Sequence, residues 1–369
     1  MSGLYLHIPF CKRRCIYCDF YSSASKSVSD TYISRLIEEL HYKRSFISDK
    51  ATTLYVGGGT PSLLTLSQVD KILTESDKIF PLSAMSEITF ESNPDDLTFD
   101  YLKGLKDLGI NRLSIGIQSF DDDYLHLLSR RHNALQAQNS VWDANKAGFD
   151  NISIDLMFAL PDMTLAQWEK TLAKAVLLPV KHISAYLLSQ EPDTMLDTMV
   201  AKGLIAMPKE DLALTQFDFT EDFLRNHQFI HYETSSYCKQ GWESKHNSNY
   251  WKRVPYLGLG ASAHSYNGTM RQWNVSNLRD YISMPLSEIS QSETLTLRQQ
   301  YEEYIMLSLR TMAGIDVSVI RNEFPTFYKP FSQQAERQIS LGNLCRQGTN
   351  LVPTRQGQHL LNLIIVSLL

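Results

Sequence analysis

The sequence predicts an α/β protein: an open, partial (β/α)6 barrel of the TIM-like kind, followed by a small helical C-terminal domain. Three observations point there. Over the first 230 residues, short apolar runs alternate with longer amphipathic segments, as βα units feeding a parallel sheet do. Glycine-rich and polar residues fall just after those runs, at the strand ends where barrels hold ligands. Beyond residue 285 the chain turns polar and then settles into helical spacing. A chain of 369 residues has room for about two to three domains of ~150 residues each; we place them at 1–230, 231–285 and 286–369.

Gly3–Ile8 is the first strand and delivers the chain into a cysteine-bearing loop. Ser29 or Asp30 caps a helix on which Tyr32, Ile33, Leu36, Ile37 and Leu40 recur at helical spacing. Thr53–Val56 is the second strand and runs into Gly57-Gly58-Gly59-Thr60-Pro61; Ile72, Leu73 and Ile79 mark the helix after it. Glu87–Glu91 is the third strand, ended by Ser92-Asn93-Pro94, and a helix from Leu102 to Leu108 stops at Gly109. Arg112–Gly116 is the fourth, leading to Gln118-Ser119-Phe120 and to helices near Tyr124–Leu128 and Ala134–Ala147. Asn151–Phe158 and His182–Leu187 are the fifth and sixth. Six such units with right-handed crossovers make an incomplete barrel.

The alternation then loosens. Lys209–Asn226 reads as a helix with Leu212, Phe219, Phe223 and Leu224 on one face, and Phe229–Ser235 as a strand. The Gly258/Gly260 loop is no dinucleotide fingerprint, because no strand–helix unit with a downstream acid surrounds it. Pro285–Glu293 reads as a linker. Thr296 then leads a helix carrying Tyr301, Tyr304, Ile305 and Leu309. A second short helix lies within Thr311–Arg321 and a third spans Gln333–Leu341. Leu360–Leu369 is a terminal helix or strand packed on the core; Asn362 and Ser367 interrupt it, and it is too short to span a bilayer.

Composition narrows the function. A net charge of −5 and a pI near 6.1 argue against a nucleic-acid partner. Five cysteines, three of them clustered, do not read as a disulfide framework. Met1 lies four residues before Tyr5, so no signal peptide is expected and the chain belongs in a reducing cytoplasm.

The cluster is Cys11, Cys15 and Cys18, spaced C-x3-C-x2-C directly after the first strand. Soft thiolates select zinc or iron–sulfur clusters. Structural zinc normally takes four ligands from two separated pairs, whereas Cys238 and Cys345 stand alone. Three thiolates without a fourth imply a [4Fe-4S] cluster with one iron left open. Lys12, Arg13 and Arg14 between the first two ligands either lower the thiol pKa values or form a solvated basic turn.

C-x3-C-x-aromatic-C resembles the signature of radical S-adenosylmethionine (SAM) enzymes, and the string LYLHIPFCKRRCIYCDF resembles their oxygen-independent coproporphyrinogen III oxidase group. The resemblance implies the partial barrel, a [4Fe-4S] cluster on Cys11, Cys15 and Cys18, and SAM chelating its open iron. The reduced cluster would then cleave SAM to methionine and an adenosyl radical, with an electron from a donor such as a flavodoxin or ferredoxin. By the same resemblance Gly58, Gly59 and Thr60 hold SAM's amino group and Glu91 its ribose. Gln118, Arg130 and Asp155 match further SAM-contacting positions, as do Tyr5, Tyr17 and Ser189. Taken singly, each is also a strand-end polar group or a tight turn. Residues 231–285 would close the barrel, and 286–369 resembles the group's helical, winged-helix-like C-terminal domain, which would cover it.

Two features depart from the oxidases of that group. Phe20 stands where they carry a further cysteine, and they extend further before the first strand. His246-Asn247-Ser248-Asn249-Tyr250-Trp251 instead matches an H-N-x-x-Y-W motif associated with haem binding in a chaperone branch. The expectation is a haem chaperone with haem as cargo, His246 as axial ligand, haem-accepting proteins as partners, and room for a homodimer. A loop histidine beside aromatic residues also serves simply for packing. The alternative is a radical SAM enzyme acting on a porphyrinogen, and a third is a cluster-binding scaffold without SAM turnover.

Overall fold

The computed structural model describes residues 1–25, 27–47 and 50–369. Six strands run parallel as neighbours in chain order: β1 (Ser2–Ile8), β2 (Ala51–Gly58), β3 (Glu87–Ser92), β4 (Arg112–Gln118), β5 (Asn151–Phe158) and β6 (His182–Leu187). Leu4, Leu54, Leu113, Ile115, Ile152 and Ile154 are fully buried on them, as expected of a parallel sheet covered by helices. Helices α1 (Asp30–Tyr42), α2 (Leu66–Asp77), α3 (Phe99–Asp107), α4 (Asp122–Leu127), α5 (Ala134–Lys146) and α6 (Leu165–Val176) fill the crossovers. Ser29, Thr65, Thr98, Asn133 and Thr164 each cap one by accepting a backbone N–H three residues on. Between the two expected caps of α1, the structure selects Ser29.

The sheet continues past both ends of this unit. Beyond β6 lie β8 (Ser236–Cys238) and then β7 (Ile230–Glu233), a hairpin laid antiparallel on β6. On the β1 side, β9 (Tyr256–Leu259) adds in parallel and β10 (His264–Tyr266), β11 (Met270–Asn274) and β12 (Ser290–Thr294) follow antiparallel. The twelve strands form an open sheet. Residues 231–285 therefore supply strands on both sides of the six-strand unit, with β12 outside that range as the outermost strand on the β1 side, and the two ends of the sheet are not paired with each other among the described residues. The stretch expected as a linker contains β12: an edge strand held by backbone pairing, with polar exposed side chains, leaves no apolar signature. In the main body α6, α7 (Met195–Ala201), α9 (Lys245–Trp251) and α10 (Leu278–Ser283) escaped the sequence reading, whereas α8 (Glu210–Asn226) was expected.

The C-terminal module has its own core, centred on Tyr301, Ile305, Phe324, Phe331 and Ile364. Helices α11 (Leu297–Leu309), α12 (Val317–Glu323), α13 (Pro325–Ser340), α14 (Arg355–His359) and α15 (Leu361–Leu368) surround a three-stranded antiparallel sheet. Its strands are β13 (Ile315–Asp316), β14 (Leu344–Gln347) and β15 (Asn350–Pro353). The module packs against the large sheet near both of its ends and against α8. Glu303 pairs with Arg271 on β11 at 2.7 Å, the Arg310 carbonyl accepts from Thr234 N–H beside β7 at 2.9 Å, and Arg355 pairs with Asp222 on α8 at 2.8 Å. No helix among the described residues is long and apolar enough to cross a membrane.

Candidate cofactor site

At the C-terminal ends of β1 to β6 the strands surround a cavity of about 470 Å³, within the usual range for ligand pockets. Its first wall is the cysteine loop. Phe10–Cys11 pairs with Ser23–Ala24, which ties the two ends of the loop together, and Gly59 N–H donates to the Ile8 carbonyl at 2.9 Å. A Cβ on Gly59 would lie 2.7 Å from the Phe10 carbonyl oxygen, and Gly58 has φ +113° with the His7 ring 2.6 Å from where its Cβ would be. The glycine run is thus required by the packing of the cysteine loop on the end of β2.

Cys11, Cys15 and Cys18 all line the cavity. Thr60 Oγ1 donates to Cys11 Sγ at 3.5 Å, and Arg130 Nη1 donates to Cys15 Sγ at 3.3 Å. Arg130 is anchored by Nη2 to the Asn93 side-chain oxygen and the Gly116 carbonyl, both at 2.6 Å. The loop cations behave differently from the simplest expectation. Lys12 is committed to Asp96 at 2.6 Å, and Arg14 donates to the Cys18 carbonyl at 3.1 Å. Burial, with Cys15 and Cys11 adding to it, raises the Cys18 thiol pKa despite Arg14. The cation that touches a sulfur is Arg130, from the turn after α4.

The remaining expected residues meet in the same cavity. Tyr5, Tyr17, Gly58, Gly59 and Thr60 line it on one side; Glu91, Gln118, Arg130, Asp155 and Ser189 line it on the other. Glu91 accepts from Tyr55 Oη at 2.6 Å and from Gly58 N–H at 3.0 Å. Burial, helped by Asp155, nevertheless raises its pKa to about 7. Asp155 is raised too, by burial first, while Ser184, Arg112 and Ser114 pull the other way. Gln118 takes a left-handed turn, φ 66°, where β4 ends. Tyr5 Oη lies 2.8 Å from His7 Nδ1, and Ser189 is exposed and donates to Glu191 at 2.7 Å.

Sequence reasoning missed Asn93, which joins Arg130 to Thr60 through a 3.3 Å bond, and Arg131, which grips Asp95 and Asp96 beneath the loop. Both had a signal: an Asn-Pro at a strand end, and a second arginine beside the first.

The residues present fit an iron–sulfur cluster with an attached polar cofactor. Three thiols converge on a cavity rather than on one point, and no three His, Cys, Asp or Glu side chains among the described residues are grouped to hold a single ion. Arg130 Nε and Ser92 Oγ are buried at this cavity without a partner among the described residues, so donors remain for a ligand.

The comparisons with known proteins agree with this geometry. The Radical SAM superfamily model matches residues 5–175 and the HemN C-terminal domain model matches 295–360. A protein named heme chaperone HemW from Lactococcus lactis is 35% identical over 98% of this chain and 95% of its own. This chain belongs to the HemW family. The Bacillus subtilis and Escherichia coli proteins of that name are 37% and 35% identical, over 85% and 71% of this chain and 85% and 69% of theirs. The fold matches that of E. coli coproporphyrinogen III oxidase HemN, described as a radical SAM enzyme, with TM-score 0.84, 21% identity, and coverage of 100% of this chain and 89% of that one.

Against this family setting His246 has an unexpected place. It lies on helix α9, not on a loop, and is 1% exposed. Its Nδ1 is 2.9 Å from Thr53 Oγ1 and its Nε2 2.9 Å from Tyr250 Oη. The ring sits beside the start of β1, so that a Cβ on Gly3 would meet it at 3.1 Å, and burial lowers its pKa to about 3. That is the end of the barrel opposite the cysteines. Both ring nitrogens are engaged, so ligation of iron there requires α9 to lift from β1 and β2. The packing role, with both nitrogens bonded, is the one this conformation displays.

Proposed function

We propose that this protein is a haem chaperone that binds haem and delivers it to haem-requiring proteins, with a [4Fe-4S] cluster and SAM in the barrel-mouth cavity. One observation carries the cofactor half of this reading: Cys11, Cys15, Cys18 and the ten expected SAM residues share one cavity, although they come from six strand ends. The cargo half rests on membership of a family whose named relatives are haem chaperones. When bound, the cluster and SAM supply one-electron chemistry.

In this reading the chain's own residues have distinct tasks. The three thiolates hold the cluster and leave one iron free. Arg130 offsets the negative charge gathered on the sulfurs and fixes Cys15. Gly58, Gly59 and Thr60 present backbone and a hydroxyl to SAM's amino end, and Glu91, carrying or releasing a proton near neutral pH, faces its ribose. Tyr5, Tyr17 and Met157 narrow the cavity against water. The exposed Arg13 and Arg14 at the rim suit an acidic electron donor such as a flavodoxin or ferredoxin. The five free thiols suit the reducing cytoplasm.

The test has two halves. Reconstituted protein titrated with haem gives a Soret shift, and the haem passes to an apo-acceptor. Incubated with coproporphyrinogen III, SAM and reductant, the protein yields no protoporphyrinogen. Failure to bind haem removes the chaperone reading; turnover of the porphyrinogen replaces it with the enzymatic one.

A further inference from the structure

Arg112, Ser114 and Gly116 alternate along β4 and so share one face of the strand. Ser114 and Gly116 line the cofactor cavity, which makes that face the inside of the barrel. Arg112 is one step nearer the start of the strand and therefore deeper. Register sets the neighbours: Arg112 lies beside Thr89 of β3 and Asn151 of β5, Ser114 beside Glu91 and Ser153, and Gly116 beside Asp155. Ser114 Oγ donates to Asp155 Oδ2 at 3.4 Å, and the Gly116 carbonyl accepts from Arg130 at 2.6 Å. Glu91 and Asp155 are thus layered between two guanidinium groups, Arg130 at the mouth and Arg112 below.

Arg112 is 1% exposed, and its Nε and Nη1 have no hydrogen-bond partner among the described residues. A guanidinium keeps its charge even there, and away from water that charge is felt further. It favours the ionised forms of Glu91 and Asp155 and disfavours the cationic forms of His182 on β6 and His246 on α9. Both rings are buried and bonded to hydroxyl groups, and Glu87 at the start of β3 is already held by two backbone N–H groups of α9. Glu91 is also faced by Tyr5 from β1, Tyr55 from β2, Asp155 from β5, Tyr186 from β6 and Tyr250 from α9. Asp155 meets Ser114, Ser184 and Arg130 as well. Burial keeps the four tyrosines neutral, so the charges that decide the matter belong to two carboxylates and two arginines.

We propose that Arg112 is a positioning residue for the cofactor: from beneath the cavity its charge keeps Glu91 and Asp155 ionised, ready to accept from the hydroxyl groups of SAM. An ionised carboxylate only accepts, at about four lone-pair sites. Glu91 gives one oxygen to Tyr55 and the other to Gly58 N–H, which leaves acceptor sites for two ribose hydroxyls. Once protonated it loses an acceptor and becomes a donor. Without Arg112, burial and the neighbouring Asp155 would push Glu91 towards that form.

This inference rests on the SAM reading above and adds a residue that does not touch SAM. The experiment is equilibrium dialysis of SAM against the full-length chain with its cluster reconstituted, from about pH 6 to about pH 9. Native protein, Arg112→Met and Arg112→Lys are compared; an unbranched apolar chain is a change that buried charged sites often tolerate. Titration of SAM's own amino group is common to all three and cancels in the ratio. With the Glu91 pKa at about 7, a rise of about one pH unit cuts the ionised fraction at pH 7 roughly fivefold, and Arg112→Met is expected to weaken SAM binding there by about that factor. By about pH 9 the carboxylates are ionised in every chain and the curves meet. Arg112→Lys keeps the charge and follows the native curve. A loss equal at every pH, or no loss at any, overturns the proposal while the SAM reading stands, as does an Arg112→Lys curve that follows Arg112→Met. If Arg112→Met does not fold, Arg112→Gln is read in the same way; failure of both neutral variants to fold assigns the charge to stability and overturns the proposal. If the native chain binds no SAM at any pH, the SAM reading fails, and the proposal with it.

Discussion

Arg130 Nη1 lies 3.3 Å from Cys15 Sγ across 115 residues of sequence. It joins the cysteine loop after β1 to the turn after α4, so the position of one thiol is set by a side chain from the other half of the barrel. The same guanidinium reaches Asn93 and Gly116, which places three strand ends under one planar group.

Replacing Arg130 tests that arrangement. Arg130→Lys keeps a charge but cannot hold Asn93, Gly116 and Cys15 at once. We expect a stable chain that retains iron less well and responds more weakly to SAM, at a cost of about 1.5–3 kcal/mol for the lost charged bonds. Iron content after desalting and the SAM-induced change in the reduced-cluster spectrum check it.

Glu91 makes a pH prediction. Its folded pKa, about 7, is above the ordinary carboxylate value. The protonated form is thus favoured in the folded state, and its stabilisation is fully present below the unfolded pKa near 4.5. It is lost as pH rises towards 7. Glu91→Gln removes this dependence, so the variant's stability relative to the native chain should rise between pH 4.5 and 7, by on the order of 2 kcal/mol. Tm against pH for both proteins without cofactors measures it; parallel curves would refute it.

Gly59→Ala should displace the cysteine loop, because the new methyl group would meet the Phe10 backbone. We expect a cost of about 1–3 kcal/mol and reduced iron loading. Gly148→Ala is the comparison: its φ is +95° but its nearest neighbour is 3.8 Å away, so only backbone strain applies and iron loading stays native.

A buried polar knot fixes the added edge of the sheet. Glu39 is fully buried and accepts from Tyr281 Oη at 2.6 Å, Asn274 Nδ2 at 2.7 Å and Gly260 N–H at 2.9 Å, with Lys43 Nζ 2.8 Å away. Glu39→Ala leaves the Lys43 ammonium buried without its counter-charge. Denaturant unfolding should show a loss of about 3–5 kcal/mol.

The parts legible in the sequence were those with a local physical signature. β5 and β6 were read to the residue, because β-branched, aromatic and other apolar residues (Ile152, Ile154, Leu156 and Phe158; Ile183, Tyr186 and Leu187) concentrate there between helical stretches. The cofactor residues were legible because a barrel presents its strand ends together, so order along the chain translates into neighbourhood. What escaped had no local signature. β12 is polar because its pairing is by backbone alone, and Glu39 is an ordinary helix residue until Asn274 and Tyr281 arrive from 235 and 242 residues away. His246 was placed on a loop because Ser244 is a cap only once α9 is seen; there Ser244 Oγ accepts from Asn247 N–H. α6 could have been found, since Trp168, Leu172 and Ala175 keep helical spacing behind the Thr164 capping box.

The most direct test of the account is the anaerobic reconstitution of the full chain with iron and sulfide, followed by addition of SAM. The account predicts about four irons and four sulfides per chain, a change in the reduced-cluster spectrum on SAM binding, and loss of both in Cys11→Ala, Cys15→Ala or Cys18→Ala. A single bound zinc, or a cluster that is indifferent to SAM, would contradict it.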